Sequence, residues 1–98
     1  MALLMIRYTV PPDEVSSVTE AVRTAFEAVD TEQPQGIRYA YLRSGEQFMA
    51  LLEVADGVEN PLPGIEAARN LQATVAKLAV SPAPSPEPFE VLGAYRMF

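Results

Sequence analysis

A chain of 98 residues with 49% hydrophobic and 20% charged positions has the composition of one small globular domain, spanning residues 1–98, rather than of a disordered segment. Its net charge of −6 comes without a basic cluster, which argues against nucleic acid and membrane partners, since both nucleic acid and anionic lipid demand Lys and Arg concentrated on one face. The absence of cysteine rules out a disulfide framework and thiolate metal sites. The N-terminal MALLMI is too short and lacks the basic flank of a signal or span, so a cytoplasmic protein is expected.

Residues 2–10, ALLMIRYTV, carry the β-branched and aromatic enrichment of a strand, with Leu4, Ile6, Tyr8 and Val10 in one register and Leu3, Met5, Arg7 and Thr9 in the other. Pro11-Pro12 ends it, and Asp13-Glu14 sets carboxylates at the positive end of a helix dipole. Val15, Val18, Ala21, Val22, Ala25, Phe26 and Val29 recur every three or four positions, which predicts an amphipathic helix over 12–30.

A β-hairpin follows over residues 36–54, GIRYAYLRSGEQFMALLEV. A two-residue turn at Gly45-Glu46 of type II′ pairs Tyr39 with Leu52, Ala40 with Leu51, Leu42 with Met49 and Arg38 with Glu53. A turn centred on Ser44-Gly45 is the alternative; it shifts the pairing by two residues and keeps the faces. ADGVENPLPG, 55–64, reads as a loop. Asn60 or Pro63 then opens a second helix over 62–79, with Ile65, Ala68, Leu71, Val75 and Leu78 inward. SPAPSPEP, 81–88, has proline at every second position and reads as an extended connector that needs no partner. FEVLGAYRMF, 89–98, is the last predicted strand, with Phe89, Val91, Tyr95 and Met97 in one register and Leu92, Ala94 and Arg96 in the other.

The order βαββαβ predicts an α+β fold of the ferredoxin-like kind, in which right-handed crossovers place both helices on one face of a four-stranded antiparallel sheet. The opposite face then has no cover within the chain. It carries Leu3, Met5, Ala40, Leu42, Met49, Leu51, Leu92 and Ala94, roughly several hundred Å2 of apolar surface that a soluble monomer seldom leaves wet. A homodimer packed sheet on sheet through this helix-free face is therefore expected. Arg7, Arg38, Glu53, Glu90 and Arg96 are read as rim charges and cross-strand or cross-dimer ion pairs, the alternative being that the arginines bind an anionic ligand in the barrel.

The stretches MIRYTVPP at 5–12, GIRYAYLR at 36–43 and NPL at 60–62 resemble those of small bacterial proteins in the dimeric α/β-barrel superfamily, among them the antibiotic biosynthesis monooxygenase-like domains. The resemblance spans nearly the whole chain. It implies two ferredoxin-like protomers packed sheet to sheet, with a ligand pocket in each between its own sheet and helices. Cofactor-independent oxygenases of that superfamily commonly use a polar first-strand residue, often asparagine, together with tryptophan. This chain has no tryptophan, and Leu4, Ile6, Tyr8 and Val10 occupy the helix-facing first-strand positions.

Without histidine or cysteine the chain lacks the usual general base near neutral pH, the commonest metal ligands and a thiolate nucleophile. No metal site and no cofactor are expected, and no catalytic residue is assigned. The ligand-binding candidates are Tyr8, Tyr39, Tyr41 and Tyr95, whose hydroxyls share one register, with Phe26, Phe48 and Phe89 as apolar wall. The alternative is that these aromatics are core residues with hydroxyls at a wet margin. Arg69 and Asn70 are candidates for a pocket mouth. Tyr39→Phe and Tyr41→Phe are expected to leave folding intact.

Three functions are compatible with these residues. The first is a dimer that binds a small, largely apolar metabolite as a degenerate relative of the monooxygenase-like enzymes. The second is a cofactor-independent oxygenase or isomerase that uses tyrosine hydroxyls as proton donors. The third is a structural dimerisation module with a filled interior.

Overall fold

The structure is a computed structural model that describes residues 2–80 and 84–96; residues 81–83 of the predicted connector and 97–98 of the predicted last strand lie outside it. The elements are β1 (Ala2–Thr9), α1 (Val15–Glu32), β2 (Ile37–Ser44), β3 (Gln47–Val54), α2 (Glu66–Leu78) and β4 (Glu87–Phe89). Single 3-10 turns at Pro12–Glu14 and Leu62–Gly64 precede the two helices. The strands form one antiparallel sheet in the order β2-β3-β1-β4, the ferredoxin-like βαββαβ arrangement expected.

The hairpin adopts the first of the two predicted registers, with Tyr39 opposite Leu52, Leu42 opposite Met49 and Ser44 closing the ladder against Gln47. Gly45 has φ +60° and Glu46 does not enter the positive region, the pattern of a type II′ turn. Arg38 Nε lies 3.6 Å from Glu53 Oε1 across the same ladder. Glu53 is buried, however, and its Oε2 has no hydrogen-bond partner, so it is not the wet rim charge anticipated.

Gly36 at the start of the hairpin takes φ +80°, and a Cβ there would sit 2.9 Å from both methyls of Val58. Its carbonyl accepts the Ala55 N–H at 2.8 Å. The loop after β3 therefore folds back onto a position where only glycine avoids both backbone strain and a clash.

α1 ends two residues later than predicted, where Gln33 turns left-handed (φ 47°, ψ 57°) and donates its N–H to Val29 O, with Pro34 blocking continuation. Before α2, the Asn60 side-chain oxygen accepts the Leu62 N–H at 3.0 Å at the start of the 3-10 turn, while α2 itself begins at Glu66, four residues later than predicted, with no side-chain cap. The far end of α2 is tied to the sheet by Val80 N–H donating to Thr9 O at 2.9 Å. Both helices pack on one face of the sheet. One buried cluster joins Tyr8, Val10 and Phe48 to Val18 and Ala25 of α1 and Leu71 and Val75 of α2. A second joins Leu52, Leu62 and Ala68.

The last strand departs from expectation. β4 covers only Glu87–Phe89, and residues 90–96 form no strand. The cause is register: Met5 pairs with Glu87 and Leu3 with Phe89, so the run reaches the first residue of β1, Ala2, at Glu90. A run with ample β-propensity then has no ladder to join. Pro88 is tolerated because β4 is an edge, where a missing donor breaks no second ladder. Register also moves Phe89 to the helix-free face beside Leu3, away from the aromatic wall assigned to it. Leu92 and Tyr95 are 89% and 81% exposed.

On the helix-free face, Leu3, Met5, Met49 and Leu51 are half-buried, while Ala40, Leu42 and Phe89 are exposed. No helix among the described residues is long and apolar enough to cross a membrane.

Candidate functional site

The helix-facing register of the three long strands brings three of the four tyrosines together. Tyr8 of β1 stands opposite Phe48 of β3, and Tyr39 and Tyr41 of β2 stand opposite Leu52 and Ala50. The Tyr8 and Phe48 rings stack with centroids 5.6 Å apart. Phe26 reaches down from α1 to stack on Tyr39 at 4.8 Å, and Tyr41 meets Phe26 edge-on. These contacts fix the rings, so the hydroxyls cannot wander. The Tyr8 and Tyr41 hydroxyl oxygens are 2.5 Å apart and hydrogen-bonded.

Ala50 lies between Ile6 and Tyr41 in the ladder. Its small side chain leaves space that a larger residue would fill. Above it opens a cavity of about 340 Å3 between the sheet and α2. Leu4, Ile6 and Leu52 form the sheet side, Leu71 and Val75 the helix side, and Pro84 and Pro86 of the connector close one flank. The polar lining consists of Tyr39, Tyr41, Asn60 and Gln72. The cavity thus touches residues of both core clusters and lies where neither fills the interior.

Burial pushes the Tyr8 and Tyr39 hydroxyls up from 10.0 to about 12. Tyr41 is also raised, by burial first and then by its hydrogen bond to Tyr8. All three are neutral phenols at physiological pH. They can donate hydrogen bonds, but they are poor bases and poor sources of a free proton. Among the described residues no group of three or more Asp or Glu converges in a way that would hold a metal ion.

No protein-family profile matches the sequence, and no curated protein is significantly similar to it. Solved structures with the same arrangement do exist. A protein of unknown function from Nitrosomonas europaea aligns over 99% of this chain and 94% of its own, with a TM-score of 0.72 and 22% identity. A candidate antibiotic biosynthesis monooxygenase from Caulobacter crescentus aligns over 94% of this chain and 90% of its own, with a TM-score of 0.71 and 15% identity. L-rhamnose mutarotase from Formosa agariphila aligns over 96% and 98%, with a TM-score of 0.55 and 15% identity. The chain shares the fold of these solved structures.

Within this fold the predicted site residues take different places. Tyr39 and Tyr41 line the cavity, Tyr8 stands behind Tyr41, and Phe48 and Phe26 buttress the rings rather than face the space. Tyr95 does not join them; it lies on the surface beyond β4 with the Arg96 guanidinium 5.2 Å from its ring. Arg69 and Asn70 line a separate shallow hollow with Glu32 and Glu66, and Arg69 donates to Pro63 O at 2.7 Å. Gln72 was missed, although Ala68, Leu71, Gln72, Val75 and Ala76 follow the i, i+3, i+4, i+7, i+8 pattern of one helix face. A polar residue inside that stripe was the available signal.

The Tyr8–Tyr41 bond alters the expectation for Tyr41→Phe. Tyr8 is 1% exposed, so removing its partner strands a buried hydroxyl and should cost about 1–3 kcal/mol. Removing both hydroxyls together should cost less than Tyr41→Phe alone. Denaturant unfolding of the two single variants and the double variant measures this coupling.

Proposed function

We propose that the protein is a homodimer, joined through its helix-free sheet face, that binds a small, largely apolar metabolite between sheet and helices. The observation behind the ligand is the cavity of about 340 Å3, apolar over most of its wall and carrying a few fixed polar groups, which is the usual make-up of a small-molecule site. An unfilled interior of this kind counts against a purely structural module. The dimer reading rests on the apolar residues the helices do not cover, chiefly Met5, Leu42, Met49 and Leu51.

The test is a titration with indane, a compact apolar bicycle, followed by amide chemical shifts. Saturable binding that perturbs Leu71, Gln72 and Val75 is expected, and Ala50→Leu should weaken it at least tenfold by filling the floor. That variant should cost about 1–3 kcal/mol of stability through overpacking. Unsaturable or scattered shifts, or equal binding by Ala50→Leu, would contradict the cavity as the site.

A catalytic reading rests on the same hydroxyls. Two of the solved structures with this fold are candidate antibiotic biosynthesis monooxygenases, and a hydrogen-bonded tyrosine pair beside a cavity is able to polarise a carbonyl. If the parent protein turns over no quinone-like or polyketide-like compound, that reading fails and binding stands alone.

A further inference from the structure

The polar groups of the cavity can be sorted by what they have left to offer once their protein partners are counted. Tyr8 is buried and its hydroxyl has Tyr41 as its partner. Either hydroxyl of the pair is able to donate, and an acceptor in the cavity beside Tyr41 selects the arrangement in which Tyr8 donates to Tyr41 and the Tyr41 proton faces the cavity. The Tyr39 hydroxyl has no hydrogen-bond partner among the described residues, and its ring is held by Phe26. Asn60 accepts the Leu62 N–H through its side-chain oxygen, which leaves its amide N–H2 group available. All four polar residues that line the cavity among the described residues therefore present donors, Gln72 through its amide N–H2 group. Among the described residues, no Asp, Glu, Lys or Arg lines the cavity, so nothing there neutralises a charged ligand.

We propose that the cavity selects uncharged molecules bearing a hydrogen-bond acceptor, such as a ketone oxygen, with Tyr39 and Tyr41 as the donors that distinguish them from plain hydrocarbons. This rests on the binding reading above and adds what the ligand must carry. The raised ionisation of both hydroxyls keeps them donors across the physiological range.

The experiment compares indane with 1-indanone, which has nearly the same shape and adds one carbonyl. Indanone should bind about tenfold more tightly, the scale of one to two well-made hydrogen bonds. Tyr39→Phe should shrink that ratio, and Tyr39→Phe combined with Tyr8→Phe and Tyr41→Phe, which strands no buried hydroxyl, should bring it close to one. Should the triple variant not fold, the ratio for Tyr39→Phe alone decides. Equal affinity of the parent protein for both compounds, or a ratio untouched by Tyr39→Phe, overturns the inference while the cavity remains a binding site. If neither compound binds, the binding reading fails and the inference with it.

Discussion

Replacing Leu51 by arginine should turn the proposed dimer into monomer or aggregate. Leu51 stands opposite Met5 on one side and Ala40 on the other, in the middle of the sheet face that no helix covers. In the proposed dimer a guanidinium placed there would meet apolar groups of the second copy without a counter-ion. Leaving such a charge buried and unpaired costs about 3–5 kcal/mol, which weakens association by roughly two to four orders of magnitude. Within the protomer Leu51 is only half-buried, so the folded chain should survive. Sedimentation or light scattering reads the mass, and circular dichroism checks the fold. A dimer of unchanged affinity would mean that another surface joins the two copies. Thr9→Arg, at the margin of the same face, should have a much smaller effect.

The second large effect is expected at alkaline pH. Tyr8 and Tyr39 ionise at about 12 in the folded chain and at 10.0 without burial. Below the lower value both states hold the proton and stability is unaffected. Between the two values the unfolded chain releases protons that the folded chain retains, so stability falls as pH rises. At pH 11 each of these groups should remove at most about 1.4 kcal/mol, and less where solvent screens the hydroxyl, and Tyr41, shifted the same way, adds to the loss. Denaturant unfolding at about pH 8 and pH 11 tests this, with phenolate absorbance reporting the ionisation. Tyr39→Phe should remove its share of the pH dependence. A protein equally stable at both pH values would show that these hydroxyls are wet rather than buried.

Local signals explain why much of the architecture was legible in the sequence. Gly45 at a turn between two alternating runs narrowed the hairpin to two registers, the first of which is adopted, and Pro11-Pro12 marked the end of β1 ahead of α1. Asn60 and Pro63 marked the 3-10 turn ahead of α2 rather than the first residue of the helix, Glu66. The last strand was misread because FEVLGAYRMF has the right propensity but pairs through a register that exhausts β1 at its first residues. Propensity is a property of the run, whereas pairing depends on where the preceding proline connector delivers it. Tyr95 and Phe89 were misplaced for that reason, while Tyr8, Tyr39 and Tyr41 sit on long strands whose alternation has no such ambiguity. The cavity itself was not legible. It depends on Ala50 falling between Ile6 and Tyr41 and on how far α2 stands from the sheet, a matter of three-dimensional packing. The Tyr8–Tyr41 hydrogen bond likewise joins strands that are not neighbours, since β3 lies between β1 and β2.

The most direct test of the account is the mass of the unmodified protein in solution at micromolar concentration. Light scattering should report twice the mass of one chain, with amides of β1 and β3 protected from exchange. A mass of one chain, with Met5, Leu42 and Leu51 accessible to solvent probes, would contradict the claim that a second copy covers the helix-free face.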